Sequence, residues 1–372
     1  MKRVNNLYVK LISYDNLKEA IHEVCKTHRW DRHHHKNKMV AWIESDIESR
    51  INDLKHILEN GYEPSPATHK RIYDHSAGKW RDIYKPKIWP DQCIHHAVIQ
   101  VLQPVFMRSM DYWCCGSIKG RGIHYGVKGF KKWMRNDIKG TKYCAELDIH
   151  HYYENITNEV VMNRCRQLIK DGRMLSVIEC VLKAGIMIGC YFSQWFANVI
   201  LQPLDHAIRE NKEFKVTHYL RYMDNFTIFS SNKRKLRKLV KFISQWLESH
   251  GLKLKHNWQI FPVSSRLPSA LGYRFGRGYT LVRKKNLLKL KRKIAKFRKK
   301  YENGKNIIAK HASGIISRMG QLVHCNSYRI RNKLLNKGEL KILKDIVRKE
   351  QKNGIYVWYD QFRRVCPHKG DR

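Results

Sequence analysis

The apolar pattern is interrupted most tellingly in "YLRYMDNFTIF" (Tyr219–Phe229), where an apolar run is broken at its centre by one acid and one amide and then resumes. Two strands around a short polar turn predict a β-hairpin that presents Asp224 at its tip. "YCAELDIHHYYENI" (Tyr143–Ile156) is a second alternating strand, ending on Asp148 and running on into aromatics. Elsewhere the period is helical. Ile43, Ile47, Ile51, Leu54, Ile57 and Leu58 predict a helix that stops near "ENGYEPSP", where Gly and two Pro end it. Leu287, Leu290, Ile294, Phe297 and Tyr301 share one helical face. Between these helices, short strands alternate with helical segments. The texture predicts an α+β protein in three parts: a basic N-terminal extension with the first helices over 1–75, a catalytic body over 76–280, and a helical, basic part over 281–372.

Charge then narrows the partner. The 372 residues include 73 Lys and Arg against 32 acids, a formal net charge of +41. A surplus of that size predicts contacts to many phosphates. An anionic membrane is the competing partner, but no apolar run of about 18 residues is present and the N-terminus lacks a signal-peptide core, so no membrane is expected. Ten cysteines are scattered without a CxxC pair, which predicts reduced thiols in a cytoplasm and argues against a zinc site.

The positive charge is concentrated in places. Between Leu281 and Lys300, eleven of twenty residues are Lys or Arg and none is acidic. Like charges so dense repel one another, so a phosphate backbone against Arg283, Lys284, Lys285, Lys291 and Arg292 is favoured over a merely solvated face. "HRWDRHHHKNK" (His28–Lys38) interleaves rings and cations, which suits single-stranded RNA; a solvated segment and a metal site are the other readings. "GSIKGRGIHYG" (Gly116–Gly126), with Arg121, is a weaker signal for close approach of backbone to a template strand.

Asp148 and Asp224 can meet only if their strands are neighbours in one sheet. As a pair they would hold two divalent cations about 3.5–4 Å apart, the arrangement for in-line attack at phosphorus. Mg²⁺ suits such hard oxygen ligands. Either acid alone reads as an ordinary surface or turn residue. Acids are scarce in this chain, however, and both interrupt apolar strands.

These segments, in order with "IGCYFSQWFANVILQPLDHAI", "GLKLKHNWQIF" and "LGYRF", resemble the palm of a reverse transcriptase. "KWRDIYKPKIWPDQCIHHAVIQVLQPVF" and "GSIKGRGIHYGVKGF" are similar to that family's fingers, and "ISRMGQLVHCNSY" to its thumb. Within the family the chain looks most similar to the diversity-generating-retroelement branch, through Ile188-Gly189, Ser193-Gln194 and the His95-His96 doublet; defence-associated reverse transcriptases and retrons share much of this.

The resemblance implies a right-hand polymerase of fingers, palm and thumb, with an antiparallel palm sheet. It implies an RNA-directed DNA polymerase using Mg²⁺, with Mn²⁺ as a substitute. It implies RNA, DNA product and dNTPs as partners in a ribonucleoprotein, and leaves an accessory protein or a homo-oligomer open. Asp148, Asp224 and the carbonyl of Ile149 would hold metal. Tyr153 would be the aromatic gate against a 2′-hydroxyl, with Tyr152 on the other side of the strand packing in the core. Lys79 and Arg81 would grip the triphosphate. Ile188 and Gly189 would floor the incoming base, and Ser193 and Gln194 would cap a helix and touch the template.

Asn225 stands where the family normally has a second Asp. Glu146, two residues before Asp148, faces the same side and is a substitute charge, or else the partner of a nearby Lys or Arg. The departure favours one alternative, an impaired polymerase-like RNA binder; untemplated or protein-primed DNA synthesis in antiphage defence, with the same palm, is the other.

Overall fold

The sheet that carries both acids is assembled from distant parts of the chain. The computed structural model describes residues 2–30, 36–74 and 78–352, apart from the side chains of Lys79 and residues 350–352. Among the described residues nine strands run in chain order: β1 (Thr68–Asp74), β2 (Lys79–Lys85), β3 (Tyr143–Asp148), β4 (Val216–Tyr222), β5 (Asn225–Ser230), β6 (Gln259–Pro262), β7 (Ser269–Ala270), β8 (Tyr273–Phe275) and β9 (Thr280–Val282). They form an antiparallel β1–β2 ribbon, a four-stranded antiparallel sheet in the order β4-β5-β3-β6, and a small β7-β8-β9 sheet.

One compact unit contains Lys36–Gly129 and Asn136–Arg266 together with the N-terminal residues; the second contains Phe130–Arg135 and the chain from Leu267 onward. In the first, β5 is buried at every position after Asn225: Thr227 and Ser230 are inside along with Phe226, Ile228 and Phe229. A strand covered on both faces loses its alternation. The helix Lys233–Glu248 keeps a clear period, with Leu236, Leu239, Val240, Ile243 and Leu247 inward. In the second, the helix Lys284–Glu302 buries Leu290, Ile294 and Phe297 in a core shared with Ala312, Ile315, Leu322 and Leu343. Tyr301, at the end of that stripe, is 54% exposed, because its apolar neighbours stop one turn earlier.

The fold class is the expected α+β one, with an antiparallel palm-type sheet and a basic helical segment after it. Several local expectations change. The helix expected over 43–58 is two helices, Lys38–Ser45 and Ile47–Asn60. Asp46 breaks it: its backbone is extended (φ −153°) and its carboxylate accepts from the Ser49 N–H, capping the second helix. That resets the register, so Ile47 is exposed while Ile51, Leu54 and Leu58 stay inside. The border drawn at 280/281 falls within β9. The border at 75/76 and the residues 31–35 of the His-rich cluster lie outside the described residues. No described helix is long and apolar enough to cross a membrane.

Candidate active site

The β4–β5 connection is tighter than the sequence suggests. Tyr222 pairs with Asn225, so the two loop residues are Met223 and Asp224, and Asn225 already belongs to β5, opposite Asp148 on β3. Met223 takes a left-handed conformation (φ 56°), as a two-residue hairpin turn of this hand requires. The Ile149 N–H donates to the Asp224 carbonyl at 3.2 Å, fixing the two acids at adjacent strand ends.

Their electrostatics are those of a charge-starved pair. Burial, then the charge of Asp148, pushes the Asp224 carboxyl above the usual carboxylate range. Lys255 and the Asn225 side-chain amide, which donates to Asp224 Oδ1 at 2.8 Å, restrain that rise. Lys255 Nζ lies 2.6 Å from Asp148 Oδ2. The other oxygen, Asp148 Oδ1, is buried with no hydrogen-bond partner. An orphaned carboxylate oxygen beside a second carboxyl is a donor set that fits a hard divalent cation. Among the described residues no group of three or more His, Cys, Asp or Glu converges as a metal cage; two carboxylates completed by substrate phosphates need none. Glu146 does not supply the missing charge here: its carboxylate meets Arg266 at 3.3 Å.

Beneath the turn lies a network that the sequence reading missed. Arg221 is fully buried, and its guanidinium grips Asp205, also fully buried, through Nε at 2.7 Å and Nη2 at 2.6 Å. Nη1 donates to the Asn198 side-chain oxygen and to the Met223 carbonyl, both at 3.0 Å, and Tyr219 donates its hydroxyl to Asp205. Asn198 also donates to the Gly116 carbonyl at 2.8 Å, so it is a satisfied core amide. A Cβ on Gly116 would stand 2.5 Å from Met223 Sδ and 2.7 Å from the Met223 nitrogen, so only glycine lets this loop reach the turn. The signal was present in the sequence as a cation between Leu220 and Tyr222 inside an apolar strand, which calls for a buried partner.

A cleft of about 460 Å³ is lined by Trp80, Arg81, Tyr84, Tyr153, Ile186 and Ile188, among others. The Tyr84 N–H donates to the Ile188 carbonyl at 2.9 Å, tying β2 to this loop. Gly189 has φ +116°, and a Cβ there would stand 2.3 Å from the Tyr84 carbonyl oxygen, so a side chain would part the two segments. Tyr152 and Tyr153 are on a short helical turn (Tyr152–Asn155), not on opposite sides of a strand. Tyr152 is buried and donates to the Ala197 carbonyl. Tyr153 is half-buried in the cleft; burial, then Asp224, pushes its phenol up, and Arg81 opposes the rise. Arg81 reaches Asp74 through Nε at 2.9 Å. Lys79 pairs with Asp74 along the ribbon, and its side chain lies outside the described residues. Trp80, 57% exposed, was not singled out by sequence because it lies between two better-known cations.

Other expected contacts fall elsewhere. The helix Tyr191–Ile200 has Cys190, not Ser193, at its N-cap position, so Ser193 is inside the helix with a buried hydroxyl, while Gln194 is exposed. Arg121 donates to the Asp111 carbonyl at 3.1 Å. Arg283 is bound to Ser269 through Nε at 2.8 Å and Nη2 at 2.6 Å, whereas Lys284, Lys285, Lys291 and Arg292 are exposed along their helix. His95 is buried edge-on to Phe192, and the partly buried His96 stacks on Tyr191; desolvation pushes both imidazoles down to about 4.

The chain is 20% identical over 275 residues to Protein YkfC of Escherichia coli (strain K12), covering 62% of this chain and 70% of that protein. It is 25% identical over 179 residues to the group II intron-encoded protein LtrA of Lactococcus lactis subsp. cremoris, covering 44% of this chain but only 29% of LtrA. Apo telomerase from Candida Tropicalis is similar at 12% identity and a TM-score of 0.47, over 83% of this chain and 67% of that one. Residues 66–262, just over half of the chain and including both acids, match the family described as reverse transcriptase (RNA-dependent DNA polymerase), and the chain belongs to that family.

Proposed function

We propose that this chain is an RNA-directed DNA polymerase of a bacterial or phage retroelement or antiviral system, working on a bound RNA template. One observation carries the reading: Asp148 and Asp224 stand at adjacent strand ends, with a buried Asp148 oxygen left without a partner. Asp148, Asp224 and the Ile149 carbonyl would hold Mg²⁺ or Mn²⁺. Bound there, the cations would favour a nucleophilic 3′-oxygen and stabilise the departing pyrophosphate.

The chain's own residues do the rest. Arg81, with Lys79, meets the triphosphate; Tyr153 fills the space that a 2′-hydroxyl would need; Ile188, Gly189 and Gln194 form the floor. Ile188 offers no hydrogen-bonding arm to the nascent pair, so fidelity is lower than with an amide. Lys284, Lys285, Lys291 and Arg292 face a nucleic-acid backbone, and the segments 1–75, 76–280 and 281–372 act as extension, fingers with palm, and thumb. Structured RNA, DNA product and dNTPs are the partners of the resulting ribonucleoprotein.

A second reading has its own support. Asn225 donates to Asp224, and Lys255 neutralises Asp148, so each acid has a partner without metal. That favours a polymerase-like subunit with weak metal binding that holds RNA. Primer extension on a defined RNA template separates the two. The chain is expected to synthesise DNA, more readily with Mn²⁺ than with Mg²⁺, and Asp148→Ala or Asp224→Ala to abolish synthesis. Asn225→Asp should raise it or leave it unchanged. Synthesis by Asn225→Asp alone would mark a disabled enzyme, and none from either form would leave RNA binding as the function.

A further inference from the structure

The end of the four-stranded sheet remote from the two acids carries a second concentration of charge. β3 runs from Tyr143 to Asp148 and β5 returns from Asn225 to Ser230, so Lys142, Lys215 and the residues after Ser230 lie at the far end. At about 3.4 Å per residue that is about 17 Å from the carboxylates. Lys139, Lys142, Lys212, Lys215, Arg234 and Arg237 are exposed there, with Lys233 and Lys235 half-exposed. These cations come from three separate stretches of chain. Local acids offset few of them: Glu213 pairs with Lys238 at 3.4 Å and Asp137 with His218 at 2.8 Å.

The helix Lys233–Glu248 sharpens the point. Its first turn holds Lys233, Arg234 and Lys235 and no acid, and its N-cap is the neutral Asn232, whose side chain accepts from the Lys235 N–H. A helix N-terminus is already positive, so cations in the first turn oppose the dipole, and an outside anion bound there would relieve them. The apolar face of this helix is spent on the chain's own core through Leu236, Leu239, Val240, Ile243 and Leu247. An amphipathic helix that lies in a membrane keeps that face for lipid. We propose that this surface binds the phosphate backbone of a folded or double-helical nucleic acid, at a place separate from the carboxylate site.

The test is equilibrium binding of the full chain to a short RNA duplex across a salt series, so it reads the surface whether or not the chain synthesises DNA. The combined variant Lys233→Glu, Arg234→Glu, Lys235→Glu places acids where the helix dipole favours them, so folding is retained and a thermal melt verifies it. Expected are an affinity loss of more than about tenfold near 0.1 M salt and a log K against log salt slope shallower by about 2 to 3. Lys142→Gln with Lys212→Gln and Lys215→Gln, on other elements, should move both readouts the same way. A parallel series on a DNA duplex tells the sources apart: loss on both means any backbone is accepted, and loss on RNA alone means A-form geometry is read. Unchanged affinity and slope on both duplexes overturns the proposal, including in favour of an acidic protein partner.

Discussion

Two hairpins carry the candidate site residues, and they are held by opposite means. The β4–β5 turn that presents Asp224 rests on a buried network in which Arg221 bonds Asp205, Asn198 and the Met223 carbonyl at once. The β1–β2 ribbon that carries Lys79, Trp80 and Arg81 is held at its sides by partly exposed pairs, Arg81 with Asp74 and His69 with Asp82. A charge network cut off from water is rigid, because breaking any bond strands a buried group. Exposed pairs exchange readily with solvent. The turn that presents Asp224 is therefore preset, and the ribbon that carries Arg81 is freer to adjust.

Breaking the buried side should have the largest effect. Asp205→Ala leaves the Arg221 charge alone in the core, and a loss of about 3–5 kcal/mol is expected in denaturant unfolding. Arg221→Lys is the sharper probe. It keeps a charge for Asp205 but has no planar fork to serve the Met223 carbonyl as well. Synthesis should fall about tenfold with a raised metal requirement, while the folded state persists; an unchanged metal titration would mean that the network only supports the fold.

The exposed hairpin should respond differently. Arg81→Gln is expected to raise the KM for dNTPs about tenfold while melting stays within a few degrees of the parent. If melting falls as far as in the Asp205 variant, the ribbon is as preset as the turn. Tyr153→Ala, in the cleft beside β2, should admit ribonucleotides while DNA synthesis continues more slowly; an unmoved sugar preference would reduce Tyr153 to packing. The smallest effect belongs to His69→Ala, for which about 1 kcal/mol or less is expected, since its partner Asp82 is 52% exposed.

The sequence read unevenly between these hairpins. The β4–β5 strands were plain because an apolar run interrupted by Asp and Asn has few other folds. The turn was misplaced by one residue, because Met223 hides as part of the apolar run and only the pairing of Tyr222 with Asn225 puts it in the loop. Tyr152 and Tyr153 read as strand because aromatic pairs favour strands, yet His151 turns left-handed (φ 45°) and starts a helical turn there. Ser193 read as a helix cap since Ser caps helices, but Cys190 precedes the first helical residue and takes that place.

By itself the sequence determined which residues are candidates for chemistry. Charge balance indicated a polyanionic partner, strand alternation isolated Asp148 and Asp224, and the order of motifs indicated the family. Those signals are local or compositional, so they survive without coordinates. Only the tertiary structure decided what each candidate meets. Arg221 finds Asp205, Lys255 finds Asp148, Glu146 turns to Arg266, and Gly116 yields its Cβ space to Met223. Such partners lie far apart in the chain, and burial, which sets the cost of leaving any of them alone, is a property of the packed core rather than of the sequence pattern.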